Sequence, residues 1–271
     1  MSERLLRDRL WLWGMQVNCL QETGEYRHLG FETSTLDTER AIVRTGIGNV
    51  LLAGGLPLSA ATVAAMPSAR RIIAKTSLHR TSEDGEHRID DEACASALRD
   101  AKQVAASDPR VEAFLIDDFS TGSIGAGARP KHLAQLQFLN AAESPQLPLM
   151  ATFYEMSLED ERMWVCLPYF AGFLSPLWHA ADIDHFPEYT ARIAELSGGK
   201  PQLACIYLFD FGNGKQLTYA QMQAQLEVAE GLLRDESICG LCILGTCMMD
   251  LPWEANRCLG DWLARAGDTR L

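Results

Sequence analysis

Three shortages in the sequence each exclude a class of protein. Eight cysteines among 271 residues are too few for a small domain held together by disulfides. No apolar run approaches the roughly 18 residues that cross a bilayer. Basic residues are outnumbered, 24 Lys and Arg against 36 Asp and Glu, so the net charge is −12. A surface of that sign repels phosphate backbones and anionic lipids, and we therefore expect neither nucleic acid nor a membrane as partner.

The cysteines that are present indicate a reducing compartment. Most of them stand in apolar segments, where a thiol is typically buried and reduced: Cys166, Cys205, Cys239, Cys242 and Cys247. The apolar run at residues 10–15 is short and lacks a small-residue cleavage site, so it predicts a first strand and not a signal peptide. The prediction is a cytoplasmic protein, and its oligomeric state is left open.

What the sequence does contain is a regular alternation of short apolar runs and helical segments. With 47% hydrophobic residues the chain can bury a large core, and the alternation is typical of βα units. Strands are predicted at 10–17, 49–53, 71–76, 113–117, 149–154, 163–168, 203–209 and 239–245. Helices are predicted at 35–44, 59–65, 90–106, 130–142, 186–196, 219–233 and 252–266, with Thr218 as an N-cap and Gly198 and Gly199 as a C-terminal stop.

Eight strands that alternate with helices over this length predict an α/β fold, a single-domain (β/α)8 TIM barrel over residues 1–271. The alternative is an open doubly wound sheet, which normally carries a GxGxxG fingerprint after its first strand. That fingerprint is absent here, and so are the P-loop, HExxH and GxSxG motifs. The glycine-rich stretch at 121–130 predicts a loop over the barrel mouth.

Active sites of such barrels lie at the C-terminal ends of the strands, so the residues that end each strand are the candidates. The predicted fourth strand ends in Asp117 and Asp118, whose side chains should point to opposite faces of the pleat. At least one of them is expected to act on a ligand, although one could instead cap the next segment or pair with Arg80. Asp210 and Glu155 are the other candidate catalytic carboxylates. Asp210 could instead form a turn, and Glu155 could begin a short acidic turn.

A sugar ligand would be bound by aromatic faces together with polar groups. Trp178, in the loop after the sixth strand, is the best candidate for stacking. The other aromatic side chains at or near predicted strand ends are Tyr154, Tyr169, Phe170, Tyr207 and Phe211. The candidate substrate-binding residues are Gln16, Asn18, Lys75, His79, Tyr154, Trp178, Tyr207 and Asn213. The expected partner is therefore a small-molecule carbohydrate.

The segment IYLFDFGNGK, residues 206–215, is followed by a predicted long helix and a final strand. Together with the acids of the fourth strand, it resembles a group of poorly characterised bacterial (β/α)8 proteins related to glycoside hydrolases. In that group a Y-x-[FY]-D-[FY]-G-x-G segment follows a fourth strand that ends in adjacent acids. The resemblance implies a carbohydrate-active TIM barrel with acid/base catalysis, and it carries over to Asp117, Asp118, Tyr207 and Asp210. The chain differs from the common hydrolase pattern, which has glutamates at the fourth and seventh strands.

Three alternatives stay open at this point. Lys75, if desolvated, would have a lowered pKa and could act as the amine of an aldolase or lyase, with the loop 212–215 holding a phosphate. Lys75 could instead form a salt bridge to Asp117 or Asp118. The barrel could also bind a sugar without turnover. The segment 179–185, HAADIDH, has groups that ligate metals, but consecutive loop residues rarely enclose an ion and the segment also begins a helix. The prediction is that no metal and no cofactor takes part.

The buried, reduced thiols lead to a first prediction about stability. A reducing agent should leave the melting temperature nearly unchanged, because no disulfide is there to be broken. Thermal unfolding with and without dithiothreitol measures this. A drop of about 10 °C or more would mean that a disulfide stabilises the fold.

Overall fold

Eight parallel strands close into a barrel in the computed structural model, which describes residues 5–22, 27–53, 58–81, 87–119 and 127–271. Each strand pairs with its neighbours in chain order, and the first strand pairs with the last. This confirms the predicted (β/α)8 barrel. The strands are β1 (Leu10–Gly14), β2 (Asn49–Leu52), β3 (Arg71–Ser77), β4 (Val111–Asp117), β5 (Leu149–Thr152), β6 (Gly172–Pro176), β7 (Gln202–Tyr207) and β8 (Gly240–Leu244).

Helices connect the strands, and their ends follow local capping rules. Thr218 accepts a hydrogen bond from the amide of Gln221 and so begins its helix as predicted, while Gly198 ends another with a φ of 72°. In the described ranges the α-helices are α1 (Cys19–Glu22), α2 (Thr38–Thr45), α3 (Ala60–Ala64), α4 (Asp91–Ser107), α5 (Pro130–Ala142), α6 (Glu161–Trp164), α7 (Phe186–Ser197), α8 (Tyr219–Arg234) and α9 (Glu254–Ala266).

Short elements complete the connections. Two antiparallel pairs lie outside the barrel, His79–Thr81 with His87–Ile89 and Phe209–Asp210 with Lys215–Gln216. Of the glycine-rich stretch predicted to lie over the mouth, residues 121–126 lie outside the described residues. The 3₁₀ turns are Leu6–Arg9, Arg27–Leu29, Glu155–Ser157, Leu167–Tyr169, Ala180–His185 and Thr246–Met248.

The predicted sixth strand at 163–168 is wrong. That segment forms α6 and the 3₁₀ turn Leu167–Tyr169, and the sixth strand is β6. Met163, Cys166 and Leu167 are buried while Val165 is exposed. The buried residues are three and four positions apart, which is the spacing of one helix face and not the period of two of a strand. The true strand was hidden because GFLSP is short and is bounded by Gly and Pro.

This correction moves two aromatic residues away from the strand ends where the sequence had suggested them. Tyr169 and Phe170 precede β6 and do not follow it. The ring of Phe170 is buried and packs edge-on against Phe119 and Phe173. Phe170 therefore belongs to the core, whereas Trp178 does follow the sixth strand as expected.

All eight cysteines are free thiols, in agreement with the expectation from their sequence context. Cys166, Cys205, Cys242 and Cys247 are buried, but Cys239 is exposed because it precedes the first residue of β8. Within the described residues, no helix combines the length and the apolar character needed to cross a membrane.

The tight packing at the start of β8 leads to a prediction about stability. A methyl group on Gly240 would lie 2.7 Å from the carbonyl oxygen of Arg9 and 2.7 Å from Leu203, so Gly240→Ala should lower the free energy of unfolding by about 1–3 kcal/mol. At Gly260, within α9, the same methyl meets no described atom within 4 Å. Gly260→Ala should therefore stabilise the protein by up to about 1 kcal/mol. Urea unfolding of both variants measures the difference, and equal effects would contradict the packing argument.

Candidate functional site

A buried ion pair lies inside the barrel at the C-terminal ends of β3 and β4. The ammonium of Lys75 donates a hydrogen bond to Oδ2 of Asp117, and the hydroxyl of Thr152 donates to Oδ1 of the same carboxylate at 2.6 Å. Only 4% of the Asp117 side chain is exposed, against 21% for Lys75. The ring of Trp13 lies beneath the ammonium, 5.2 Å from its centroid. Both oxygens of Asp117 are therefore held by neighbouring strands.

The ion pair decides the protonation of Lys75. Burial alone would lower the pKa of this lysine, but the negative charge and the hydrogen bond of Asp117 raise it above its ordinary value. The ammonium is therefore protonated near neutral pH. The lowered pKa and free amine of the aldolase alternative are therefore wrong, and the salt bridge to Asp117, the other possibility for Lys75, is what forms.

Asp118 has a different position from its neighbour. Its φ of 53° is left-handed, a conformation that Asp tolerates better than most residues, and its side chain is exposed. The expected alternation of the two acids between opposite faces therefore does not hold, since Asp118 leaves the extended backbone. The phenol of Tyr154, two residues after β5, donates a hydrogen bond to Oδ1 of Asp118 at 2.7 Å.

Four aromatic side chains, Tyr154, Trp178, Tyr207 and Phe211, form what we call the aromatic wall. Trp178 packs edge-on against Tyr154 and Tyr207, both at 6.2 Å, and it stacks on Phe211 at 6.1 Å. Burial raises the pKa of Tyr154 and of Tyr207 well above the ordinary value, with smaller contributions from Asp117 and Asp118 in both cases. Both phenols therefore stay protonated, and Tyr154 remains a hydrogen-bond donor.

The turn after β7 is fixed against the aromatic wall. The carboxylate of Asp210 accepts hydrogen bonds from the backbone amide of Asn213 at 3.1 Å and from its side-chain amide at 2.9 Å, and Asp210 is only 2% exposed. A side chain on Gly212 would overlap the imidazole of His179, so this glycine permits the close contact. Asp210 thus forms the turn that the sequence had offered as the alternative to a catalytic role. The backbone amide of Asn213, which could have bound a phosphate, already donates to Asp210.

The remaining predicted residues are placed around the mouth. Gln16 is exposed directly after β1, and Glu155 is exposed in the turn that follows β5. Asn18 accepts a hydrogen bond from the amide of Ser34 at 2.8 Å, which gives it a structural contact. The side chains of His79 and Arg80 lie outside the part of the chain that the structure describes.

No metal site emerges in the described ranges, where no three acidic, histidine or cysteine side chains are grouped so that they could hold an ion. The segment with candidate metal ligands forms the 3₁₀ turn Ala180–His185. His185 lies 3.7 Å from Glu188, and both side chains are exposed. The segment forms the turn that leads directly into α7, which agrees with its alternative role as the start of a helix.

Two residues at the mouth were missed by the reasoning from sequence. Thr152 ends β5 beside Asp117, and Trp13 lies in β1 beneath Lys75. The register that pairs Leu115 with Met150 brings Thr152 to the level of Asp117. The alternation Trp11–Leu12–Trp13 could have indicated which face of β1 points inward, but no local signal marks the threonine.

The fold is similar to those of solved glycoside hydrolases. A GH10 xylanase from Thermobacillus composti has 11% identity and a TM-score of 0.56, covering 94% of this chain and 97% of that one. A glycoside hydrolase family 5 enzyme from Prevotella bryantii, in complex with a xyloglucan tetradecasaccharide, has 10% identity and a TM-score of 0.55, covering 98% and 99%. No protein-family model and no curated protein matches the sequence.

A longer enzyme shows the same likeness over part of its length. A β-glucuronidase from Bacteroides uniformis has 10% identity and a TM-score of 0.58, covering 76% of this chain but 27% of that one. The chain spans less than half the length of the β-glucuronidases that it matches. At these identities the likeness concerns the fold, and the predicted resemblance to glycoside-hydrolase barrels is confirmed at that level.

The ion pair in the mouth generates a prediction about stability and pH. Lys75→Met leaves the Asp117 carboxylate buried without its cation, so the free energy of unfolding should fall by about 3 kcal/mol at pH 7. Because the folded pKa of Lys75 lies above its ordinary value of 10.5, this contribution is fully present below that pH. It is lost as the pH rises through the folded pKa. Urea unfolding from pH 7 to 11.5 measures the gap between wild type and variant.

The matched control uses another ion pair between the same two strands. Arg71 on β3 pairs with Glu112 on β4. The Arg71 side chain is 47% exposed and the Glu112 side chain is 34% exposed. Arg71→Met should therefore change stability by about 1 kcal/mol or less. The gap should not close below pH 12, since arginine does not titrate there. If both variants lose the same stability, or if the Lys75→Met gap is independent of pH, the buried pair is not what stabilises the mouth.

Proposed function

We propose that the protein is a carbohydrate-active enzyme, glycoside-hydrolase-like, that binds its sugar at the C-terminal mouth of the barrel and uses Asp118 as its general acid and base. The hydrogen bond between Tyr154 and Asp118 carries this proposal, because it joins an exposed carboxylate to the aromatic wall. A sugar ring that stacks on Trp178 would lie beside that carboxylate. Stacking fixes the ring by its apolar face, and the acid then acts on a bond at its edge.

The chemistry assigned to Asp118 is proton transfer. As a carboxylic acid it gives its proton to the glycosidic oxygen while a second carboxylate attacks the anomeric carbon, so that the leaving group departs as an alcohol and a glycosyl ester forms. As a carboxylate it then accepts a proton from water, whose oxygen bonds to the anomeric carbon and releases the second carboxylate. The phenol of Tyr154 orients the carboxylate during both steps and, because its own pKa is raised, does not compete for the proton.

The second carboxylate that such cleavage ordinarily needs is assigned to Glu155. This residue is exposed in the turn after β5, next in sequence to Tyr154. Asp210, the partner expected from the sequence, is the weaker candidate because its oxygens already accept two hydrogen bonds within a buried turn. Asp117 serves the fold through Lys75 and Thr152, and we assign it no part in proton transfer.

The test is a pair of isosteric variants assayed on a panel of aryl glycosides and plant and bacterial oligosaccharides. Asp118→Asn keeps the shape and removes the ionisable group, so kcat should fall by about 100-fold or more while the fold is retained. Tyr154→Phe should move the basic limb of the pH–rate profile to higher pH, since the protonated acid is the active form and its carboxylate loses a donor that favours the charged form. Release of reducing sugar measures both.

A second tyrosine–aspartate pair provides the control. The phenol of Tyr219 donates to Asp261 at 3.1 Å on the outer helices α8 and α9, and Asp261→Asn and Tyr219→Phe should leave kcat and the pH profile unchanged. If Asp118→Asn folds and retains full activity, Asp118 is not the acid. If Glu155→Gln is fully active and Asp210→Asn is not, the second carboxylate is Asp210.

A barrel that binds a sugar without cleaving it is the second candidate, favoured by the enclosed position of Asp210. Both readings place the sugar on Trp178, so Trp178→Ala should weaken carbohydrate binding about 10-fold or more, as expected for a lost aromatic contact. Trp164, whose ring lies under Arg192, is the control position. Calorimetry that detects binding, with no product after prolonged incubation, would select the binding protein over the enzyme.

A further inference from the structure

A separate cavity of about 410 Å³ opens beside the end of β1, between α2 and α3. Its volume is within the range of small-molecule pockets, about 300–1,000 Å³. Because Met15 and Gln16 follow β1 directly, the cavity is on the same face of the barrel as Asp118. The residues that line it are Met15, Gln16, Val17, Asp37, Thr38, Glu39, Arg40, Thr62, Ala65 and Met66.

The floor of this cavity is held in place by buried threonines. The backbone amide of Met15 donates to the hydroxyl of Thr246 at 2.8 Å, and the hydroxyl of Thr38 donates to the carbonyl of Met15 at 3.2 Å. A side chain on Gly245 would lie 2.5 Å from the sulfur of Met15, so this glycine makes room for the methionine. Met15 thus packs between the end of β8 and the cavity.

The charged residues at the rim are occupied by contacts within the protein. Asp37 accepts the amide of Arg40 and so caps α2, and the guanidinium of Arg40 donates to the carbonyl of Thr35. Glu39 accepts the amide of Ser68. A ligand therefore meets mainly the apolar surface of Met15, Val17, Ala65 and Met66, and these charges give no reason to expect an ionic ligand.

The lining differs in kind from the aromatic wall on the opposite part of the mouth. Its apolar side chains are methionine, valine and alanine, beside polar and charged residues of α2 and α3, and it contains no aromatic ring. It therefore offers no flat face on which a sugar could stack. Methionine side chains are flexible and adapt to irregular aliphatic shapes. An alkyl or acyl chain fits this surface better than a second sugar ring does.

We propose that this cavity binds the alkyl or acyl chain of an amphiphilic glycoside whose sugar lies against the aromatic wall. The substrate class of this inference rests on the proposed function, whereas binding of a hydrocarbon chain in the cavity does not. Gln16, an exposed residue of the cavity lining after β1, would contact the polar part of such a ligand.

Two measurements test the inference separately from the enzyme activity. In the first, n-butanol, n-hexanol and n-octanol are titrated into protein with ¹³C-labelled methionine methyl groups. The resonances of Met15 and Met66, assigned through Met→Leu variants, should shift, and that of Met222, in the buried face of α8, should not. Affinity should rise about fourfold per methylene until the cavity is filled.

The second measurement uses methyl, butyl, hexyl and octyl β-D-glucosides, and the corresponding glucuronides and xylosides, all below their micelle concentrations. The KM or Kd of any glycoside that is bound should fall with chain length in the wild type. Ala65→Trp, which fills the cavity from its exposed side, should abolish this dependence. Ala264→Trp, which fills a different cavity of about 240 Å³ between α2 and α9, should leave it unchanged.

The outcomes separate this inference from the proposed function. Alcohol binding at Met15 and Met66, without binding of any glycoside, would support the chain site and overturn the sugar site. Glycoside binding that is independent of chain length, with no shift at these methionines, would overturn the chain site and leave the sugar site intact. A chain-length effect that persists in Ala65→Trp would also overturn the assignment to this cavity.

Discussion

Closure of eight parallel strands into one barrel is the constraint on which the candidate site depends. Alternation along each strand directs every second side chain inward, and closure brings the inward-facing residues at the strand ends into one small space. Lys75, Asp117 and Thr152 meet there from three successive strands. Opposite charges enclosed in such a space must pair, because an isolated buried charge costs several kcal/mol. The barrel therefore creates the ion pair as well as the mouth above it.

The periodicity of the sequence predicts this barrel and most of its elements, since seven of the eight predicted strands overlap real ones. The helix ends at Thr218 and Gly198 were also predictable, because capping depends only on nearby residues. The sixth strand failed for a physical reason. A six-residue apolar segment is compatible with either strand or helix, and packing selected the helix at 163–168. The strand that does form is bounded by Gly172 and Pro176, residues that usually mark turns.

The roles of the carboxylates could be predicted only in part. Sequence reasoning identified Asp117 and Asp118 as residues of the mouth, but it could not distinguish the buried one from the exposed one. That distinction depends on a left-handed φ at Asp118 and on Lys75 across the strand pair. Asp210 shows the opposite case, because the Gly-Asn-Gly sequence after it already suggested a turn, and the turn formed.

Proteins with this fold at about a tenth identity share the barrel, while the strand-end residues decide the chemistry. In this chain those residues divide the mouth into unlike parts. The aromatic wall and Asp118 lie at the ends of β4 to β7, where flat apolar faces stand beside an acid. Beside the end of β1 lies the cavity whose apolar surface comes from Met15, Val17, Ala65 and Met66. Because both parts lie on one face of the barrel, the amphiphile that we propose as ligand follows from the two surfaces taken together, and neither surface alone would suggest it.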